Sequence, residues 1–548
     1  MCSVVVRQEA FPMANVPAAL LFEQHLLSAE SQAYIHSFRD HGHDGQLWFP
    51  RAVDNIGHPL YPPYPGEDPD GANFTVTSLP GRGMDVTLSV DAARFAGSPL
   101  HMTTRCYNGS FPGPVLRVRR GDHVQIHLVN NLLASGGHGD DLNRTNLHLH
   151  GMHVPATPYE QASNSCGDNL RCIVEPQHTI TYRHRVDDDH PSGTFWYHPH
   201  PHGTSALQVG GLMAGMLIVE DEPEETPLAA MVEVLLVLQM QHWHSLGVAT
   251  HDTIHAQLHD ALDMDVSGGP PANYILANGQ FKPSVSLLAN QYTRFRVLNA
   301  NAVATFELEL TRGSHCSMDV LAMDGVYLAR PARVTHALED LRLGTPDETS
   351  TITLGDGPNS DAYQITINGH VYNDSSPGNT QEIRLGALQE WRIRVGGASM
   401  HPFHAHRIHF LVVSVDGPAE YGALVGVGQW RDTIPIPATN SGAVIVTVRF
   451  RAQRHCGDLP FHCHILHHSD LGMAARLAVV GTAASKCLQP AVDTAASQYC
   501  GRGTHWCAEA QRCIADLLTD HVLSRAVSVL LLLVTLPLSQ CGIYWMPT

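Results

Sequence analysis

Four short histidine motifs constrain this chain more than any other feature: LHLHG at 147–151, FWYHPHPHG at 195–203, HPFHAH at 401–406 and FHCHILHHSDLGM at 461–473. Histidine is common here, with 37 in 548 residues. At a frequency of about 0.07, roughly two or three His-x-His pairs arise by chance, so a single pair means little. His41 with His43, and His242 with His244, read as pairs of that kind, local or surface residues. The four motifs are denser, and two lie in the first half of the chain while two lie near its end. A fold that uses them together must bring those two regions into contact.

In a strand, residues i and i+2 project from one face about 7 Å apart, so each His-x-His offers two imidazoles to neighbouring metal ions. Cys463 stands between His462 and His464 and points to the opposite face. Its thiolate can bind a different metal while its backbone leads into both flanking histidines. A thiolate, two imidazoles and a weak axial thioether form the trigonal environment of a blue copper centre. Cys463, His468 and Met473 supply three of these from one loop, and His401, at the head of its motif, is the natural fourth.

The rest of the chain reads as all-β. Its 46 Gly and 35 Pro punctuate many short apolar segments, and a chain of this length exceeds one core. Residues 1–70 end in the Pro-rich PLYPPYPGEDPDG and read as an N-terminal extension and linker. A first unit spans 71–222; within it VLRVRRGDHVQIHLVNNL alternates with period two on either side of an Arg-Gly-Asp turn, the pattern of a hairpin with one buried face. A second unit, 228–357, runs from VEVLLVLQMQHW to STITLGDGPNS and has no dense ligand motif; a third spans 360–482. Three runs of short alternating strands predict three antiparallel sandwiches in tandem, followed by a Cys-containing tail at 483–548.

A formal charge of −19 argues against nucleic acid as a partner. No glycine loop sits between a strand and a helix, so nucleotide chemistry is disfavoured. Cys166 and Cys172, with Cys487, Cys500, Cys507 and Cys513, look like loop staples, and sequons stand at Asn73, Asn108, Asn143 and Asn373. Both signals suggest a secreted or cell-surface glycoprotein, although the first residues make a poor signal peptide. The apolar run 526–539 is short for a membrane span and contains a proline; membrane association would have to go through this run.

Taken together, the motifs resemble those of the multicopper oxidases, laccase-like proteins of three cupredoxin domains. YNGSFPGPVLRVRRGD, GTFWYHPHPHGTSALQVGGLMAG and HPFHAHRIHF carry the likeness, which covers about residues 70 to 482. The style of HPHPHG followed by LQVGGLMAG, with Met473 at the axial place, is more similar to bacterial-type laccases. The resemblance implies three Greek-key cupredoxin sandwiches and four copper ions. It implies type 1 copper at His401, Cys463, His468 and Met473, type 2 at His148 and His404, and the type 3 pair at His150, His198, His200, His406, His462 and His464.

The implied activity is one-electron oxidation of phenols or aromatic amines coupled to reduction of O2 to water. Electrons would enter near His468 and pass through Cys463 to His462 and His464. An axial Met lowers the type 1 potential relative to Leu or Phe, which favours easily oxidised donors. The alternatives are a metallo-oxidase acting on Cu(I) or Fe(II), and a noncatalytic copper-binding or cell-wall protein. For proton delivery the family usually provides an acid after the first motif and, in bacterial relatives, a Glu just after the last type 1 histidine. Here Ser469 takes that second place, leaving Asp470 beside it and Glu160 and Asp168 near the first motif as candidate relays. His202 and His467 read as spare histidines beside the ligands.

Overall fold

A computed structural model describes residues 4–8, most of the stretches 75–221, 231–241, 274–356 and 365–481, and residues 504–507 and 512–515. The fold is all-β, with a few short helices.

The first sandwich packs two five-stranded sheets. One orders its strands 75–77, 115–118, 215–219, 193–198 and 148–150; the other orders 102–107, 84–95, 123–130, 179–185 and 165–166. Strand His123–Asn130 shows the expected alternation, with Val124, Ile126 and Leu128 buried between the sheets. The expected hairpin does not form. Val115–Val118 and His123–Asn130 lie in different sheets, and the Arg-Gly-Asp turn carries the chain across, with Gly121 at φ +79° and the Asp122 carboxylate accepting from Arg119 N at 2.7 Å. Alternation reports which face is buried, not which strand is the partner. Nor is the pairing purely antiparallel: Met84–Val90 runs parallel to Val124–Asn130, and Glu348–Leu354 parallel to Gln389–Val395.

The third sandwich sets a six-stranded sheet against a five-stranded one, the latter ordered 380–384, 474–480, 457–463, 401–405 and 433–436. Its core surrounds Trp391, which is fully buried with Phe450 and Phe461 edge-on at 5.0 and 5.2 Å. Strand Glu348–Asp356, read from sequence as the end of the second unit, belongs to this six-stranded sheet through its pairing with Leu388–Val395. Between the two sandwiches, the described residues form a four-stranded sheet of strands 280–281, 274–277, 232–241 and 293–299, and a small hairpin of Ala322–Met323 with Val326–Tyr327. Residues Val4–Gln8, read as part of the extension, pair with Phe306–Leu310.

Cys166 and Cys172 form a disulfide. The sequon at Asn108 is structural in this fold: its side chain is buried, accepts from Ser89 N and donates to Thr87 O. Asn73, Asn373, Cys487, Cys500, the paired histidines at 41, 43, 242 and 244, and the run 526–539 lie outside the described residues. Among those described, no helix is long and apolar enough to cross a membrane.

Candidate metal centre

Strand register assembles the site. In the first sandwich His148–His150 is the edge strand and pairs with Gly193–His198, so that His198 faces His148 and Trp196 faces His150. In the third, His401–Ala405 pairs with Gly457–Cys463, setting His404 opposite His462 and Phe403 opposite Cys463. The histidines of these two strands meet across the interface. His148 stacks on His406 at 3.8 Å between ring centres, and His150 on His404 at 3.9 Å.

The ligand atoms fall into compact groups, each with all its atoms within 4.8 Å of one another. His150, His198 and His464 form one; His200, His406 and His462 a second; His148, His150 and His404 a third; His401, Cys463 and His468 a fourth. The first three combine both sandwiches, and the fourth lies wholly in the third sandwich.

Local hydrogen bonds fix which ring nitrogen each histidine presents. Nδ1–H donates from His148 to Asp168 at 2.9 Å, from His198 to Pro199 O at 3.0 Å, from His404 to Asp432 O at 2.8 Å and from His462 to Cys463 O at 2.9 Å. That leaves Nε2 as the free lone pair. His150 is reversed: its Nε2 faces Asp432 Oδ1 at 3.3 Å and its Nδ1 points into the cluster. The buried nitrogens His148 Nε2, His150 Nδ1, His198 Nε2, His404 Nε2 and His464 Nε2 have no hydrogen-bond partner. His200 Nε2 and His406 Nε2 each stand 3.0 Å from His462 Nε2. Bare lone pairs converging in a buried space are what metal ligands look like and what a packed core avoids.

Electrostatics agree with that donor set. Burial, reinforced by neighbouring imidazoles, holds His150, His198, His200, His404, His406 and His464 well below the usual histidine range. His462 falls to about 3 from burial, partly opposed by its bond to Cys463 O. All are neutral imidazoles, the form that binds metal.

In the fourth group Cys463 Sγ lies 3.6 Å from both His401 Nδ1 and His468 Nδ1, which are 3.1 Å apart. Burial pushes the Cys463 thiol up and brings His401 down to about 4 and His468 to about 2. Met473 is fully buried in the same core, and its carbonyl accepts from Cys463 N at 3.1 Å. A cysteine, two histidines and a methionine brought together in this way suit copper.

The candidate relay acids separate. Asp168 is buried against His148 and also accepts from Leu149 N at 3.1 Å. Burial alone would raise its pKa, but the pairing with His148, with His184 and Arg407 nearby, outweighs that and lowers it. Asp470 reaches across to the first sandwich: Oδ1 accepts from Gly203 N at 3.0 Å, Ser205 N at 3.3 Å and the Ser205 hydroxyl, and Oδ2 from Ala206 N at 2.8 Å. It clamps the start of helix Ser205–Gly210 in the first sandwich. Glu160 lies outside the described residues. His202 is exposed with its ring 5.3 Å from Tyr372, and His467 packs 4.3 Å from His468.

Several residues at the site carry no motif. Asn146 Oδ1 accepts from His200 N at 2.6 Å, and the Thr433 hydroxyl lies 3.1 Å from His404 Nδ1 and 3.4 Å from His150 Nε2. Asp432 and Thr433 sit at the start of an edge strand whose sequence, WRDTIPIP, has no ligand spacing to betray it.

A thiolate–imidazole group within one β-sandwich, beside imidazole groups shared between two, is the arrangement of a copper-dependent oxidoreductase. The chain belongs to the multicopper oxidase family: family profiles described as multicopper oxidase match residues 91–224 and 345–482. It is 26% identical over 419 residues to the multicopper oxidase mco of Staphylococcus haemolyticus, covering 68% of this chain and 83% of that one. It is 23% identical over 476 residues to a laccase of Bacillus stratosphericus, covering 68% and 90%. In fold it is similar to the multicopper oxidase of Campylobacter jejuni, at a TM-score of 0.52 and 19% identity over 81% of this chain and 97% of that one. The protein is thus an oxidoreductase that uses O2, and four copper ions, one type 1, one type 2 and two type 3, are its cofactors.

Proposed function

We propose that the protein is a laccase-like oxidase of phenols and aromatic amines, with type 1 copper held by His401, Cys463, His468 and Met473. His148 and His404 hold type 2 copper. His150, His198 and His464 hold one type 3 ion, and His200, His406 and His462 the other. The bare ring nitrogens of His148, His150, His198, His404 and His464, converging from both sandwiches, carry the assignment of the shared site. Bound copper supplies one-electron storage, four ions matching the four electrons that, with four protons, turn O2 into two waters.

The chain's own residues supply the rest. His468 is half-buried at the edge of the thiolate group, where a donor can approach. Cys463 joins the two centres twice over, by its covalent link to His462 and His464 and by its carbonyl, which accepts from His462 Nδ1. Asp168 keeps the His148 Nδ1 proton in place, so that Nε2 faces the cluster. Asp168→Asn is expected to weaken type 2 copper binding about 10- to 100-fold with the fold intact, read by chelator titration against the type 2 EPR signal. An unchanged titration would remove that role.

The donor class rests on one observation. Among the described residues, the ionisable groups that act on His468 are His467 and His401, and the Asp470 carboxylate is committed to a helix start. A metal-ion donor such as Fe(II) needs ligands of its own at the electron-entry edge, commonly a carboxylate beside imidazoles, whereas a neutral phenol needs none. We also assign the protein to an oxidising, extracellular compartment, an assignment the Cys166–Cys172 disulfide supports. O2 uptake by one copper-loaded preparation, with a substituted phenol, an aromatic amine, bilirubin, Fe(II) and Cu(I), tests the donor class. The phenol or the amine should be fastest; a metal ion outrunning every organic donor would replace this reading with a metallo-oxidase.

A further inference from the structure

The middle unit contains no dense ligand motif, yet it reaches the copper site. Its hairpin of Ala322–Met323 and Val326–Tyr327 turns through Asp324 and Gly325, at φ +47° and +75°, the two left-handed positions that Asp-Gly suits. The turn is wedged between the sandwiches. A Cβ on Gly325 would stand 2.2 Å from the Phe195 ring, and one on Gly193 would stand 2.1 Å from the Gly325 carbonyl. Glycine is required on both sides of that contact.

From this position the Asp324 carboxylate takes hold of three consecutive residues of the third sandwich. Oδ2 accepts from Arg431 Nε at 2.7 Å, Asp432 N at 3.1 Å and Thr433 N at 3.3 Å. The Asp324 carbonyl accepts from His409 Nε2 at 2.7 Å, and His409 Nδ1 lies 2.7 Å from His153 Nε2 of the first sandwich. The segment it grips is the one that orients two metal-facing histidines. Asp432 O and the Thr433 hydroxyl meet His404 Nδ1, and Asp432 Oδ1 and the same hydroxyl meet His150 Nε2.

We propose that Asp324 is a positioning residue for the type 2 and type 3 copper site, through which the middle unit sets the orientation of His150 and His404. This rests on the assignment of those two histidines as ligands. The physical reason lies in the geometry. Residues 431–433 form an edge of their sheets, and an edge strand has one side with no neighbour to fix it. A carboxylate accepting a charged N–H and two backbone N–H groups supplies that missing constraint, with charge-assisted bonds stronger than neutral ones. His150 presents Nδ1 rather than Nε2, so its orientation depends on the Asp432–Thr433 contact more than that of the histidines bonded to carbonyls within their own sandwich.

The test compares copper-loaded wild type with Asp324→Ala, Asp324→Asn and His404→Ala. Three readouts are the type 2 EPR hyperfine pattern, the blue absorption of the type 1 centre, and the rate of reoxidation by O2 after full reduction. Asp324→Ala is expected to keep the blue absorption, change the type 2 pattern and slow reoxidation about ten-fold. Asp324→Asn, which retains an acceptor oxygen but not the charge, should fall between Ala and wild type. If Asp324→Ala does not accumulate as blue protein, the Asn variant decides alone, and identity with wild type in both the EPR pattern and the reoxidation rate overturns the proposal. Equal loss of the blue and type 2 signals in either Asp324 variant also overturns it, because that outcome marks general destabilisation. His404→Ala separates the two readings: an unaltered type 2 signal there sinks the ligand assignment, whereas an altered one beside unaltered Asp324 variants sinks only this inference.

Discussion

Cys463→Ser is expected to yield a colourless protein that retains about three of its four copper ions and consumes O2 with any donor no faster than the copper-free chain. The size of the effect follows from position. Cys463 is fully buried, its Sγ 3.6 Å from His401 Nδ1 and His468 Nδ1 on one side, and its carbonyl accepts a hydrogen bond from His462 Nδ1–H on the other. Serine changes the first relation and spares the second. It removes the soft thiolate that makes the copper site blue and conducting, but the backbone carbonyl and the strand pairing of His404 with His462 are unaffected. The hydroxyl can still accept from Ile465 N, which now approaches Sγ at 3.4 Å, so the stability cost is about 1–3 kcal/mol for one buried polar group. Visible absorption, copper content and O2 uptake check this together. Turnover near the wild-type rate in a colourless variant would mean that electrons do not enter through Cys463.

Much of this was legible in the sequence because ligand motifs on strands combine two simple rules. A period of two puts His148 and His150, or His462 and His464, on one face, and the face opposite receives Cys463. Density is the ground on which those pairs are read apart from the isolated ones at 41, 43, 242 and 244, which lie outside the described residues. What stayed hidden depends on partners distant in sequence. The alternation of Val115–Val118 and His123–Asn130 told which side chains are buried but not that the two strands lie in different sheets. The alternating strand Glu348–Asp356 looked like the close of one unit and opens another, because sheet membership is decided by pairing with Leu388–Val395. Asp432 and Thr433 meet His150 and His404, and Asp324 meets Asp432 and Thr433, without any spacing of their own; only the fold puts an Asp-Gly turn from the middle unit against them. Asp470 was read by its neighbours in sequence, when its carboxylate is claimed by backbone N–H groups of another sandwich.

That grip of Asp470 on the first sandwich leads to the second large effect, Asp470→Ala, for which we expect trinuclear copper to be lost while type 1 copper stays. The carboxylate is buried, and burial pushes its pKa up against the Ser205 and Ala206 bonds that pull it down. Its removal leaves Gly203 N, Ser205 N, Ala206 N and the Ser205 hydroxyl without their acceptor at the junction of the first and third sandwiches. Each buried donor left unmade costs about 1–3 kcal/mol, and with relaxation the total is on the order of 3 kcal/mol or more. Ala206, Val209, Ala302 and Leu466 pack at the same junction, and Leu466 N donates to Ala302 O at 2.8 Å, so the apolar contact persists but no longer has its polar lock. His148, His150, His198 and His200 come from one side of that junction and His404, His406, His462 and His464 from the other, so any loosening separates ligands of the trinuclear groups. His401, Cys463 and His468 share one sandwich and move together. Dialysis against a copper chelator, followed by metal analysis and visible and EPR spectra, should therefore show type 2 and type 3 copper leaving the variant first. Parallel loss of all four ions, or retention equal to wild type, would show that the Asp470 clamp does not hold the interface.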